Sequence, residues 1–118
     1  MKIAKKLIGM IEDHDFKIYQ EDDNVFEFQK YSPAGQDFSF TIDTEGSLDY
    51  FLHNILEYYC DFDVSYETSL WLDSDGHGKN GAPYDMKDLY EDMKVCHEFI
   101  IELYNIVDKY INSIRRKR

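Results

Sequence analysis

The sequence predicts an α+β fold: an N-terminal helix, a three-stranded antiparallel meander, then helices that include a long C-terminal amphipathic one. Three observations carry this. Apolar residues recur at helical spacing from Ile3 to Ile11, at every second position in three stretches between Phe16 and Ile42, and at spacings of four and three from Leu89 to Ile114.

In the first element Ile3, Ala4, Leu7, Ile8 and Ile11 share a helical face, with Lys2, Lys5, Lys6, Glu12 and Asp13 mostly on others. Past Asp15 the period changes to two, through Phe16 and Ile18, then Phe26 and Phe28, then Phe38, Phe40 and Ile42. The connectors Glu21-Asp22-Asp23-Asn24 and Ser32-Pro33-Ala34-Gly35-Gln36 are turn-forming and too short for a helical crossover, so the strands are antiparallel neighbours. A meander with one aromatic face needs that face covered, which makes the flanking helices a second layer.

Ser47 is a candidate N-cap for a helix with Leu48, Phe51, Leu52, Ile55, Leu56 and Tyr59 on one side. The stretch from Asp61 to Leu72 fits two periods. Phe62, Tyr66 and Leu70 suit a helix; Val64, Tyr66, Thr68, Leu70 and Leu72 suit a strand; we expect helix. Asp73 to Pro83 holds three glycines and a proline, and reads as the main loop. Asp85 then caps a helix that runs without Gly or Pro to about Ile114, on the order of 45 Å long. Its inner half is expected to pack on the sheet and helices, and its outer half offers a surface for a homodimer.

One domain is expected over residues 1–118, a helix and meander in 1–43 and a helical part in 47–116. Apolar content of 43% with 16% aromatics is too high for a disordered chain. No stretch has the ~18 consecutive apolar residues of a membrane span, and no apolar block of a signal peptide follows the first lysines, so a cytoplasmic protein without membrane contact is expected. Two cysteines, Cys60 and Cys96, make no disulfide framework and are expected reduced.

Net charge is −11, unevenly spread. From Tyr31 to Gly78 there are ten acids (Asp37, Asp43, Glu45, Asp49, Glu57, Asp61, Asp63, Glu67, Asp73 and Asp75) and no Lys or Arg. The other fourteen acids and thirteen bases nearly cancel, with basic clusters at Lys2, Lys5 and Lys6 and at Arg115 to Arg118. The basic tail suits a helix C-terminus through the macrodipole.

Catalytic and metal motifs are poorly matched. Asp73-x-Asp75-x-His77-Gly78 begins like a calcium loop, but His77 stands at the fifth position where oxygen is usual, and Tyr84 where a bidentate Glu belongs. His53, Cys60, Cys96 and His97 include two adjacent helical residues that diverge by about 100°. His97-Glu98 is followed by Ile101 where a zinc-protease helix needs its second histidine. The glycines at 76, 78 and 81 lack P-loop spacing and lie among acids that repel phosphate. No cofactor and no enzymatic activity are expected.

The base-free segment also holds Tyr50, Tyr58, Tyr59, Tyr66 and Trp71. Carboxylates beside Tyr and Trp suit a basic protein partner and disfavour direct nucleic-acid binding. The candidate partner-binding residues are Asp61, Asp63, Tyr66, Glu67, Trp71, Asp73 and Asp75. The plainer reading is a solubilising surface over an aromatic core.

In element order over roughly residues 1–60, and in acidic composition, the chain resembles small anti-CRISPR proteins of phages and mobile elements. That resemblance implies inhibition by occupying the nucleic-acid site of a defence nuclease, and carries over no functional residue. The leading expectation is a non-enzymatic inhibitor or adaptor acting as a nucleic-acid mimic on a basic groove. The alternatives are an immunity or antitoxin protein masking a basic toxin, and a small metal-dependent module around Asp73, Asp75 and His77.

Overall fold

The computed structural model describes residues 1–73 and 85–116, the side chains of 72, 73 and 116 excepted. The chain runs α1 (Lys5–Glu12), β1 (Lys17–Gln20), β2 (Val25–Tyr31), β3 (Asp37–Asp43), α2 (Leu48–Asp61), α3 (Val64–Asp73) and α4 (Met86–Arg116). This is the α+β order expected from the three periodicities, with the sheet antiparallel in the order β1-β2-β3.

Register follows the aromatic alternation. Ile18 faces Phe28 and Phe28 faces Phe40, while Phe26 faces Ile42, so one sheet face is a block of apolar side chains. That face is buried against the helices: Phe26, Phe28, Phe38, Phe40 and Ile42 are each at most 5% exposed. On the opposite face β3 is exposed at every second residue, while Gln29 of the central strand is 8% exposed and donates to Asp37. At the α1–β1 and β3–α2 junctions the backbone turns through left-handed residues, Asp15 in the first and the pair Glu45-Gly46 in the second.

The expected caps form. Ser47 accepts from Asp49 N–H and Tyr50 N–H at the start of α2, and Asp85 Oδ1 accepts from Lys87 N–H and Asp88 N–H at the start of α4. The ambiguous stretch is helical. α2 ends at Asp61, Phe62 adopts an extended conformation, and Asp63 starts α3 by accepting from Tyr66 N–H. The alternation that suggested a strand has no counterpart in burial, because Thr68 is buried while Tyr66 and Leu70 on either side are exposed.

α4 is one unbroken helix of 31 residues. Its stripe is buried from Leu89 through Met93, Cys96, Ile100, Leu103, Val107 and Tyr110 to Ile111. The outer half offered above to a second chain is therefore largely covered within this one, by α1 among others, and Ile114, 38% exposed, is what the stripe leaves open. The chain is 52 Å long and 24 Å across, so α4 runs nearly its full length.

Two charged residues occupy core-facing positions. Lys30 continues the inward row of Phe26 and Phe28; its Nζ donates to Glu102 Oε1 at 2.7 Å and lies over the rings of Phe16 and Phe99. Glu102 Oε2 meets His14 Nδ1 at 3.1 Å, so one carboxylate of α4 ties β2 to the end of α1. Asp92, one helical turn before Cys96, is buried and receives donors from the β2–β3 turn.

Candidate functional site

The fold separates the candidate carboxylates and aromatics by role. Asp61 is exposed at the C-terminal end of α2, where no cation offsets it among the described residues. Asp63 is exposed yet structural, since its carboxylate caps α3. Tyr66, 60% exposed on the first turn of α3, is free to act as an interface anchor. Glu67 is half-buried beside Asp63. Trp71 is half-buried and packs against the hydrophobic core. Asp75 and the side chain of Asp73 lie outside the described residues, as does the candidate calcium loop through His77.

Burial and the neighbouring Asp63 charge hold the Glu67 carboxyl above the usual carboxylate range. Its charge in turn adds to burial in raising the Tyr58 hydroxyl. An acid whose folded pKa is raised contributes stability below its unfolded pKa, and that contribution is lost as pH rises through the folded value. Glu67→Gln is thus expected to raise the melting temperature near pH 7 and to leave it unchanged near pH 4. An equal shift at both pH values would show that ionisation of Glu67 is not the cause.

Residues outside the candidate set, Asp43, Asn54 and Glu57 among them, complete the acidic surface. A shallow trough of about 240 Å³ lies between β3 and α2, with Thr41, Asp43, Asn54, Glu57, Tyr58 and Asp61 in its walls. Asn54 Nδ2 donates to the Asp43 carbonyl at 2.7 Å and to Glu45 Oε2 at 2.8 Å. Glu57 meets His53 Nε2 at 3.0 Å, and both are largely exposed. The signal was present: the last strand of a meander is an edge, and its polar alternation marks a solvated face.

Arg115 reaches Asp49 Oδ1 at 2.6 Å. Among the described residues, Asp43, Glu45, Glu57, Asp61, Asp63 and Glu67 form no ion pair with Lys or Arg. Along β3, α2 and the start of α3, Asp43, Glu45, Asp61, Asp63 and Glu67 thus carry no ion pair among the described residues, while Asp49 is paired with Arg115 and Glu57 lies beside His53.

The candidate metal ligands do not converge. Cys60 is exposed, whereas Cys96 is buried with its thiol pushed up to about 12 by burial and by the nearby Asp92 charge. His97 is stacked between Tyr59 and Phe62 and donates from Nε2 to the Tyr59 carbonyl at 2.8 Å, which fixes its tautomer and pins the end of α2 to α4. Among the described residues no group of three or more His, Cys, Asp or Glu could hold a metal ion. A second cavity, about 360 Å³, is lined by His14, Glu98, Ile101, Glu102, Asn105 and Lys109. Both Glu102 oxygens there are engaged with Lys30 and His14.

The chain is thus an α+β domain with a two-layer architecture and an acidic face along one sheet edge. Neither a protein-family model, nor a curated protein, nor a solved structure matches it. No helix among the described residues is long and apolar enough to cross a membrane.

Proposed function

We propose that the protein is a non-enzymatic inhibitor or adaptor whose acidic face occupies a basic groove of a partner protein, in the manner of a nucleic-acid backbone. The observation that carries this reading is the run of exposed carboxylates over Asp43, Glu57, Asp61 and Asp63, none of them paired with Lys or Arg among the described residues, with Tyr66 beside it. A solubilising surface would be expected to intersperse bases with its acids, as the rest of this chain does. A predominantly acidic face steers positively charged partners, and an exposed tyrosine supplies contact area that salt does not screen.

The test is capture of the partner from host lysate at low salt, followed by titration of that partner with its own nucleic acid, with and without this protein. Competition supports the reading; simultaneous binding with unchanged affinities removes the mimicry. Association is expected to slow as ionic strength rises to physiological values, where the Debye length falls to about 8 Å. Charge reversal at Glu57 and Asp61 should weaken the complex and leave the circular dichroism unchanged. Reversal at Asp63 is a poorer probe, because losing its cap alone costs about 1 kcal/mol of stability.

A further inference from the structure

The outer edge of β3 has hydrogen-bonding capacity that the fold does not use. Thr44 N–H donates to the Asn24 carbonyl at 2.7 Å, which makes residues 24 and 44 a bonded pair in the β2–β3 register. Bonded pairs alternate along an antiparallel ladder, so Ile42, Phe40 and Phe38 direct their N–H and C=O groups to β2. Ser39, Thr41 and Asp43 then direct theirs away from β2. The carbonyl of Asp43 confirms this direction, because Asn54 of α2 reaches it from the open side. Among the described residues β2 is the strand that borders β3, so the backbone groups of Ser39 and Thr41 lie on a free edge.

The helix beside that edge runs along it. Phe38 contacts Phe62, Phe40 stacks on Tyr58, and Asp43 meets Asn54, so α2 descends as β3 ascends. Glu57 and Asp61, four residues apart on α2, are about 6 Å apart along its axis. Alternate residues of a strand are spaced by about 6.6 Å. A strand added to β3 would therefore meet one carboxylate of α2 at each of two successive inward positions.

We propose that the open edge of β3 takes up an extended basic segment of a partner protein as a fourth strand, with alternate Lys or Arg side chains reaching Glu57 and Asp61. This rests on the acidic-face reading above and specifies how that face is used. The backbone ladder supplies affinity and the carboxylates select the sequence, as in other strand additions. A second copy of this chain is a poorer occupant. Pairing β3 with β3 would bring two rows of Asp37, Asp43, Glu57 and Asp61 together, and like charges across a strand pair are destabilising.

The test uses the intact chain and three ten-residue peptides of alternating Lys and Val: unmodified, N-methylated on the Val amides, and N-methylated on the Lys amides. Only one alternate set of amides in an added strand faces β3. One methylated peptide is thus expected to bind about tenfold or more weakly than the other, which should keep near-unmodified affinity. Amide exchange at Ser39 and Thr41 should slow on binding, and the Glu57→Lys/Asp61→Lys variant should lose the unmodified peptide. Equal affinities for all three peptides, with Ser39 and Thr41 unprotected, would overturn strand addition and leave the acidic-face reading standing. No binding by any peptide at low salt would overturn both. Protection of Ser39 and Thr41 that grows with protein concentration, without peptide, would assign the edge to a second copy and overturn the proposal.

Discussion

Phe28→Ala is expected to cost about 3–5 kcal/mol of folding stability, a large part of the 5–15 kcal/mol typical of a small domain. Phe28 sits at the middle of the central strand with no exposed surface. Its ring stacks on Phe51 of α2 and lies at 5.8 Å from Phe40 of β3, so it joins the two layers of the fold at one point. Truncation removes the transfer free energy of the ring and leaves a cavity between a sheet and a helix that cannot both move inward. Urea denaturation should show a midpoint far below wild type, whereas Tyr66→Ala, at an exposed site, should stay within about 0.5 kcal/mol. A Phe28→Ala loss below about 1 kcal/mol would mean that the layers repack around the gap.

That core was largely legible in the sequence, because the signals that specify it are local. Period-two aromatics marked the strands, short turns fixed their antiparallel order, and Ser47 and Asp85 stood where N-caps belong. The stretch after Asp61 was less legible because its apolar residues satisfy both periods. Its helix is settled by the Asp63 cap and by burial of Thr68, which depends on what packs against it.

The acidic site was legible as composition and not as geometry. Ten acids without a base could be counted, but Asp63 as a cap, Trp71 against the core, and Glu57 and Asp61 in register with an edge strand depend on how α2 lies along β3. Lys30 and Asp92 were missed for a related reason. Each falls on an apolar stripe, with Phe26 and Phe28 in one case and Leu89 and Cys96 in the other. Their hydrogen-bond partners lie more than fifty residues away in the chain.

Asp92→Ala is expected to cost about 3 kcal/mol, comparable to the loss of a core aromatic. Asp92 projects from α4 into the β2–β3 turn, where its carboxylate accepts from the Ser32 hydroxyl, the Ala34 N–H at 3.1 Å and the Gln36 side-chain amide. Ser32 and Gln36 are themselves buried, and the turn closes on itself through Gln36 N–H to Ser32 Oγ and Ser32 N–H to the Gln36 carbonyl, both 2.9 Å. Removing the carboxylate strands three donors where water has little access, and an unmade buried hydrogen bond costs more than a made one contributes. Asp92→Asn should not rescue stability, because its amide nitrogen would face a donor in place of one oxygen. In a double-mutant cycle, Ser32→Ala should cost less in the Asp92→Ala background than in wild type, since its partner is already gone. Hydrogen exchange should show the amides of Ala34, Gly35 and Gln36 opening first in Asp92→Ala, while the β1–β2 ladder stays protected. If Asp92→Ala changes stability by less than about 0.5 kcal/mol, the turn is held by its own hydrogen bonds and the tie to α4 is incidental.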